Sequence, residues 1–582
     1  MQAFRYFVFN RAVKLFYRNS SSNAKNTPLV KVVSDKEGIR VVFKYFDNYF
    51  KLERPNDETL EETLNRIKLK AELHHKKEII RLYYSASGRS IQNEMTKVID
   101  VSLLQNDSIV DSKLPNIDAW SQASALNIGD IVYEVSYNPP TVKTLRLPEF
   151  IISGCAVRPH FIFECASLHE SAFTWYRSIE ENSISSFKND DILEENGKYW
   201  KKIHEGYIYF ACAEDVGCYL KVVCTPKQDG RTGLDTSAES NTVVEAAPDK
   251  FPFEERQENT KSFCENNSIR CLTYNVLAKM YVEGNKFPYS TKKALDPYYR
   301  KQVLLKELIG YKSDIICLQE VEDRVFERDL EPILNLKGYS GYYTKKGGHR
   351  YEGAATFFRT SKFRFKRKYD ILLNRIVKEK HIYGELFSKV AGNLKDMNKL
   401  LSQNSVLQLL LLEHIDLPDN ELLVANTHLY SNKDSPEVRL IQAAVCTAFI
   451  EHMVVRKNLQ SPGIIFCGDF NSLPHSPTYN FLTSGKYECS ANWNRSSDVS
   501  SDTVLEHNLN LDSACGTPEY TNYTAEFSGC LDYIFYNKDI LDVIDVVPMP
   551  RHEQVTAQKA LPSEYFPSDH IALICTLQWK KS

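Results

Sequence analysis

Ile464-Ile465-Phe466-Cys467-Gly468-Asp469-Phe470-Asn471 runs four apolar residues into a turn that carries a carboxylate and a carboxamide. The run is short, β-branched and aromatic, so it predicts a buried strand with Asp469 and Asn471 at its end. An Asp-x-Asn loop by itself is only a turn, since such side chains readily bond nearby backbone. Its meaning depends on what the rest of the chain places at strand ends.

Outward from this stretch, strand-like runs lie at 270–275, 314–320, 406–412, 422–426, 531–536 and 571–577. Helical patterns separate several of them. At 297–311 the stripe is Tyr299, Val303, Leu304, Leu308 and Tyr311, and a second helix is expected at 438–454. This alternation predicts an α/β sandwich over 265–582. Asn275, Glu320, His428, Asp469, Asn471, Asp532, Asp569 and His570 each border one of the apolar runs. Acids at single strand ends are commonly caps, but eight polar positions in one region are not explained that way. Most are hard oxygen donors, which suit Mg²⁺. No Cys is among them, which argues against a structural zinc site.

Six blocks carry a resemblance. Thr273-Tyr-Asn275-Val-Leu-Ala, Cys317-Leu-Gln-Glu320-Val, Asn426-Thr-His428-Leu, Gly468-Asp469-Phe-Asn471-Ser, Leu531-Asp532-Tyr-Ile-Phe and Ser568-Asp569-His570 occur in this order. They resemble the endonuclease/exonuclease/phosphatase superfamily, in its deadenylase branch. Within that branch the chain is most similar to the mitochondrial phosphodiesterases acting on 2′,5′-linked and poly(A) substrates. Tyr137-Asn-Pro-Pro, Leu145-Arg-Leu-Pro-Glu149, Tyr520-Thr-Asn-Tyr523 and Ala560-Leu-Pro-Ser563 belong to the same resemblance.

The resemblance implies a C-terminal four-layer α/β sandwich, two β-sheets flanked by helices. It implies a Mg²⁺-dependent phosphodiesterase and 3′-exoribonuclease, with Mn²⁺ as a substitute metal, that releases AMP from 2′,5′-oligoadenylates and the poly(A) tails of mitochondrial RNA. Metal ligation falls to Glu320, Asp469 and Asn471. Asp469 orients and deprotonates water, and His570 and His428 donate to phosphoryl oxygens. Asp532 holds His570, and Asp569 is either a metal ligand or the partner of a catalytic His. Substrate contacts fall to Asn275, Asn471, Asn522 and Phe527, the last as a base-stacking ring. One departure stands out: Ser431-Asn-Lys433-Asp-Ser-Pro436 occupies the loop that elsewhere supplies the other side of a base clamp. Two other readings are a related hydrolase acting on a nucleotide, dinucleotide, lipid or abasic DNA, and an inactive RNA-binding scaffold. The intact acids argue against the scaffold.

The remaining expectations are coarser. The 582 residues call for at least two domains, and the net charge of −3 leaves any basic surface local. The 14 Cys include no CxxC and read as reduced thiols. No apolar run approaches a transmembrane length. Residues 1–34 carry Arg5, Arg11, Lys14, Arg18, Lys25 and Lys31 with no acid, the pattern of a mitochondrial transit peptide and a matrix address. Residues 35–250 read as a mainly β domain, immunoglobulin-like over roughly 120–245, with Asp215-Val-Gly-Cys-Tyr219 spaced as a tyrosine corner. Residues 251–264 read as a linker. Lys345, Lys346, His349, Arg350 and the run Lys362–Lys368 are candidate RNA-backbone contacts, and 377–404 a candidate insertion over the site.

Overall fold

The computed structural model describes residues 28–580 except 86–98, 183–190, 249, 266, 349–350, 376–378, 380–381, 385, 387–393 and 490–503. The C-terminal strands that position the site are β1 (Ser268–Asn275), β2 (Ile315–Glu322), β3 (Tyr339–Lys345), β4 (Glu352–Arg359), β5 (Phe363–Leu372), β6 (Val406–His414), β7 (Glu421–His428), β8 (Gly463–Asp469), β9 (Leu511–Ser513), β10 (Asp532–Asn537), β11 (Leu541–Val546) and β12 (Leu573–Trp579). They form two six-stranded sheets, ordered β3-β4-β2-β1-β12-β11 and β5-β6-β7-β8-β10-β9.

Every residue of β1 and of β8 is buried, as continuous apolar strands covered on both faces must be. Ile269, Cys271, Ile315 and Cys317 of the first sheet pack against Leu410, Leu412, Val424, Ile465 and Cys467 of the second. Helix α1 (Pro297–Gly310) covers the outer face of the first sheet through Val303, Leu304 and Leu308. Helix α2 (Pro436–Arg456) covers the outer face of the second through Leu440, Ile441 and Ala444. The result is a four-layer α/β sandwich. By length and composition α2 is long and apolar enough to cross a membrane, but here it is a core helix, mostly buried against its sheet.

The two parallel pairings decide where chemistry can gather. β1 and β2 flank α1 and run parallel, with Asn275 opposite Gln319. β7 and β8 flank α2 and run parallel, with His428 opposite Asp469. The carboxyl ends of parallel strands are where ligands bind in open α/β sheets. β10 enters antiparallel beside β8, so its first residue, Asp532, sits opposite Asp469 at the same end. Gly468 has to be glycine: a Cβ there would stand 2.1 Å from the Thr427 carbonyl oxygen on β7.

The N-terminal half differs from the expected single β domain. Its first unit is a seven-stranded sheet that begins with Leu29–Ser34 and ends with Ile131–Tyr137, with the helix Leu60–Ser85 following its third strand. Val32, Val41, Leu60, Ile67 and Trp120 form its core. Leu29–Ser34 pairs with both neighbours in this sheet, so a leader boundary at 34 is too late; residues 1–27 of the expected transit peptide lie outside the described residues. The second unit, from Thr141 onward, packs Val142, Phe173, Trp175, Leu220 and Val222. The start expected near 120 is therefore moved past Tyr137. The tyrosine-corner reading also changes: Tyr219 is exposed, and Asp215 instead accepts from the Tyr209 hydroxyl at 2.5 Å.

No free linker joins the halves. Thr236–Glu239 pairs into the second unit's sheet. Phe251 and Phe253 stack at 4.8 Å and are fully buried, while Arg256 donates to the carbonyls of Pro548 and Ala572, both at 2.8 Å. All 14 cysteines are free thiols.

Candidate active site

Asp469 is the centre. Its Oδ2 accepts from Asn275 Nδ2 at 3.0 Å and lies 3.5 Å from His428 Nε2 and 3.8 Å from His570 Nε2. Its Oδ1 accepts from the backbone N–H of Asn471 at 2.9 Å. The Asn275 amide nitrogen also donates to Glu320 Oε1 at 3.1 Å, so one carboxamide brings the carboxylates of both sheets together. Glu320 Oε2 accepts from the Ala278 N–H at 3.0 Å. Glu320 and Asn471 both have left-handed backbone, at φ 57° and 48°. Asn adopts that conformation readily and Glu rarely does, so strain is held at Glu320.

The two histidines hold opposite charge states. His570 Nδ1 lies 2.7 Å from Asp532 Oδ2, which also accepts from Thr521 Oγ1 at 2.6 Å. Burial works against a charged His570, but Asp532, then Asp569 and Asp469, hold its pKa well above the usual value. His428 is pushed well below its usual value by burial, Lys346 and His570. Lys346 Nζ lies 3.2 Å from His428 Nδ1 and 2.8 Å from Glu352 Oε1. An ammonium has no acceptor, so Nδ1 accepts and the proton of neutral His428 sits on Nε2, facing Asp469.

The carboxylates carry more negative charge than their partners neutralise. Glu320 is raised to about 7 by burial, Glu352 and Asp569, and Asp469 to about 6 by burial and Asp532. Asp532 Oδ1 is buried without a donor. A divalent cation fits such a set. Asp469, Asp532 and His570 each offer a ligand atom within 4.8 Å of the others. His570 already spends Nδ1 on Asp532 and is held charged, and an imidazolium does not ligate. Glu320 and Asp469, bridged by Asn275, are the better pair for an ion.

The expected residues are not all in the same relation to this centre. Asn275, Glu320, His428, Asp469, Asp532 and His570 converge. Asn471 is adjacent, but its side-chain amide donates to the Leu429 carbonyl at 3.1 Å. Asp569 does not hold the Nδ1 of a histidine. It accepts from Asn522 Nδ2 at 3.3 Å, so the alternative of Asp569 as histidine partner is replaced by Asp532. Asn522 forms a backbone bridge with His570. Phe527 is 41% exposed at the end of the Asn522–Gly529 hairpin, not a core ring.

Other expectations are corrected. Lys362 is buried and donates to Glu265 O at 2.8 Å, Lys366 pairs with Glu413 and Glu421, and Lys368 donates to Tyr343 O. Lys362 and Lys368 are therefore engaged within the protein, while Arg364, Lys366 and Arg367 stay exposed. His349 and Arg350 lie outside the described residues. Pro436 starts α2, and Arg439 clamps the preceding loop through the Tyr430 and Lys433 carbonyls. In the described part of 377–404, Tyr383 and Leu400 are buried in the core beside α2, and residues 387–393 of this expected insertion lie outside the described residues.

Several supporting residues were not among the expected site residues. Gln319 donates to Asn426 Oδ1 at 2.9 Å, and Asn426 donates to the Leu318 and Ala355 carbonyls, bracing the two sheets directly below the site. Buried Arg300 donates to the carbonyls of Val276, Leu277 and Pro567, pinning the loops after Asn275 and before Asp569. The neighbouring blocks mark Gln319 and Asn426, and Thr521 and Lys346 lie in stretches that stand out for other reasons, but nothing local marks Arg300.

Comparison with known proteins agrees with this arrangement. Residues 272–570 match the Endonuclease/Exonuclease/phosphatase family, and residues 139–245 match the 2′,5′-phosphodiesterase 12-like N-terminal domain. The chain is 35% identical to 2′,5′-phosphodiesterase 12 of Mus musculus, over 96% of this chain and 95% of the relative. For 2′,5′-phosphodiesterase 12 of Homo sapiens the identity is 38%, over 82% and 80%. It is 30% identical to the CCR4-Not complex 3′-5′-exoribonuclease subunit Ccr4 of Schizosaccharomyces pombe, over 54% of this chain and 50% of the relative.

Proposed function

We propose that this chain, which belongs to the endonuclease/exonuclease/phosphatase family and is a hydrolase of phosphodiester bonds, is a Mg²⁺-dependent 3′-exoribonuclease that releases AMP from 2′,5′-oligoadenylates and 3′ poly(A) tails. The observation that carries this reading is the convergence of Asn275, His428 and His570 on Asp469 Oδ2, with Glu320 beside it.

Glu320 and Asp469 would hold the metal, which when bound supplies positive charge for the phosphate and its developing charge. The protein's own groups do the rest. Asp469 takes a proton from the attacking water. The new bond forms from that water to phosphorus, and the bond from phosphorus to the 2′- or 3′-oxygen of the preceding nucleotide breaks. Charged His570 and the Nε2–H of neutral His428 donate to the phosphoryl oxygens, where negative charge grows. Asp532 and Lys346 keep those two rings in the required protonation states. Phe527, exposed beside Asn522, is the ring on which the terminal base stacks.

The acid-free, Arg-bearing start supports action in the mitochondrial matrix. A reporter fused to residues 1–34 that stayed in the cytosol would remove that part. The substrate reading is tested by incubating the protein with 3′,5′-oligo(A), 2′,5′-oligo(A) and oligo(U). Stepwise AMP from both adenylates, with little release from oligo(U), is expected. Equal cleavage of every base would remove the adenylate claim.

A further inference from the structure

Where the second N-terminal unit docks on α1, positive charge collects in excess of what the docking uses. The docking itself is well made: Gln302 Nε2 donates to Phe150 O at 2.7 Å, Gln302 Oε1 accepts from the Ile152 N–H at 3.2 Å, and Ile152, Cys155 and Ala156 share a core with Val303, Leu304 and Leu308. Buried Asp329 answers two cations there, Arg158 through its Nε and Lys301 at 3.0 Å. Arg158 also donates to the Tyr207 hydroxyl at 3.1 Å.

More basic groups stand around this pair. His160 and Arg146 are directly paired across two strands, and the cations Arg146 and Arg328 are exposed. Burial first, and then the charges of Arg158, Arg328, Arg146 and Lys301, lower the His160 pKa, so those four cations all act on that ring and His160 meets a phosphate as a neutral donor. The nearby acids Glu327 and Glu331 act on each other. The patch shares helix α1 with a residue that braces the catalytic loops. Lys301 follows Arg300, which pins the loop after Asn275, and its charge acts on Glu322, two residues beyond Glu320.

We propose that Arg146, His160 and Arg328, seated on the Arg158–Asp329–Lys301 junction, bind backbone phosphates of a single-stranded RNA whose 3′ end occupies the active site. The N-terminal unit then lengthens the substrate track and does more than stabilise the enzyme. This rests on the functional reading above. A charged stripe that contacts phosphate and reads no base gives affinity that grows with length and falls with salt.

The test compares an oligo(A) trimer with a 20-mer by fluorescence anisotropy, using the full chain in an Asp469→Asn background so that substrate survives. The double variant R146A/R328A is expected to lower the ratio of 20-mer to trimer affinity about tenfold and to flatten the salt dependence of 20-mer binding by about 1.4 in log–log slope, for two lost phosphate contacts. An unchanged ratio would overturn the inference alone if the Asp469-containing parent still turns over the trimer. A parent that neither binds nor cleaves either RNA would overturn the functional reading as well. Circular dichroism of the double variant, compared with the parent, checks that the fold is retained.

Discussion

Lys346 Nζ lies 3.2 Å from Nδ1 of His428, and this contact sets which nitrogen of a buried, neutral imidazole faces Asp469. Replacing Lys346 by Met frees the ring to take the other tautomer. The expected result is a fall in kcat of about 10–100-fold with little change in KM, as for other groups that orient a site residue. Nitrogen-15 shifts of His428 are expected to move from the Nε2–H to a mixed form. Loss of KM alone would mean that Lys346 touches substrate directly.

Asp532 has the same task toward His570, with the opposite charge outcome. Asp532→Asn removes the charge that keeps the imidazolium. A loss of about 10²–10⁴-fold in kcat is expected, within the range for a positioned proton donor. Thermal unfolding is expected to shift little, because Thr521 still meets an acceptor oxygen at that position.

Glu307, on the buried face of α1, gives a stability prediction unconnected with catalysis. Burial raises its pKa from 4.5 to about 7, with Arg256, Tyr274 and Tyr311 opposing. Between those values the folded protein keeps a proton that the unfolded chain has lost. Its stabilising contribution is thus complete below about 4.5 and is lost as pH rises through 7, on the order of 3 kcal/mol in all. Urea unfolding of Glu307→Gln at pH 5 and pH 8 is expected to show a smaller difference between the two than the parent does.

Phe527 to Ala tests base recognition. Loss of one stacked base is expected to raise KM for oligo(A) by about 5–100-fold, with kcat for any bound substrate largely kept. Discrimination against oligo(U) should narrow. A parallel fall in kcat for every substrate would mean that the Asn522–Gly529 hairpin supports His570 and does not read the base.

The strand-end residues were legible because each lies in a short block beside its own strand. Their position beside apolar runs, together with the six blocks of the family resemblance, was enough to single out Asn275, Glu320, His428, Asp469, Asp532 and His570. The contacts that tune them were not. Lys346 meets His428 across 82 positions and Asn275 meets Asp469 across 194, and no local pattern records such distances. The same limit misplaced the N-terminal boundary. Ile131–Tyr137 alternates like any sandwich strand, yet it pairs with Leu29–Ser34 about 100 residues earlier and so belongs to the first sheet. The supposed linker failed for another reason: its acids and prolines masked Phe251, Phe253 and Arg256, which are the residues that pack.

Glu320 and Asp469 are expected to hold a divalent ion needed for phosphodiester hydrolysis. The most direct measurement is a Mg²⁺ titration followed both by calorimetry and by AMP release from oligo(A), on the parent and on Glu320→Gln. The parent is expected to be inactive in EDTA, to recover with Mg²⁺, and to show heat saturating over the same range. Glu320→Gln is expected to lose the binding heat and at least about 10²-fold of the rate. Undiminished AMP release by the parent in EDTA, or equal Mg²⁺ binding by Glu320→Gln, would contradict the account.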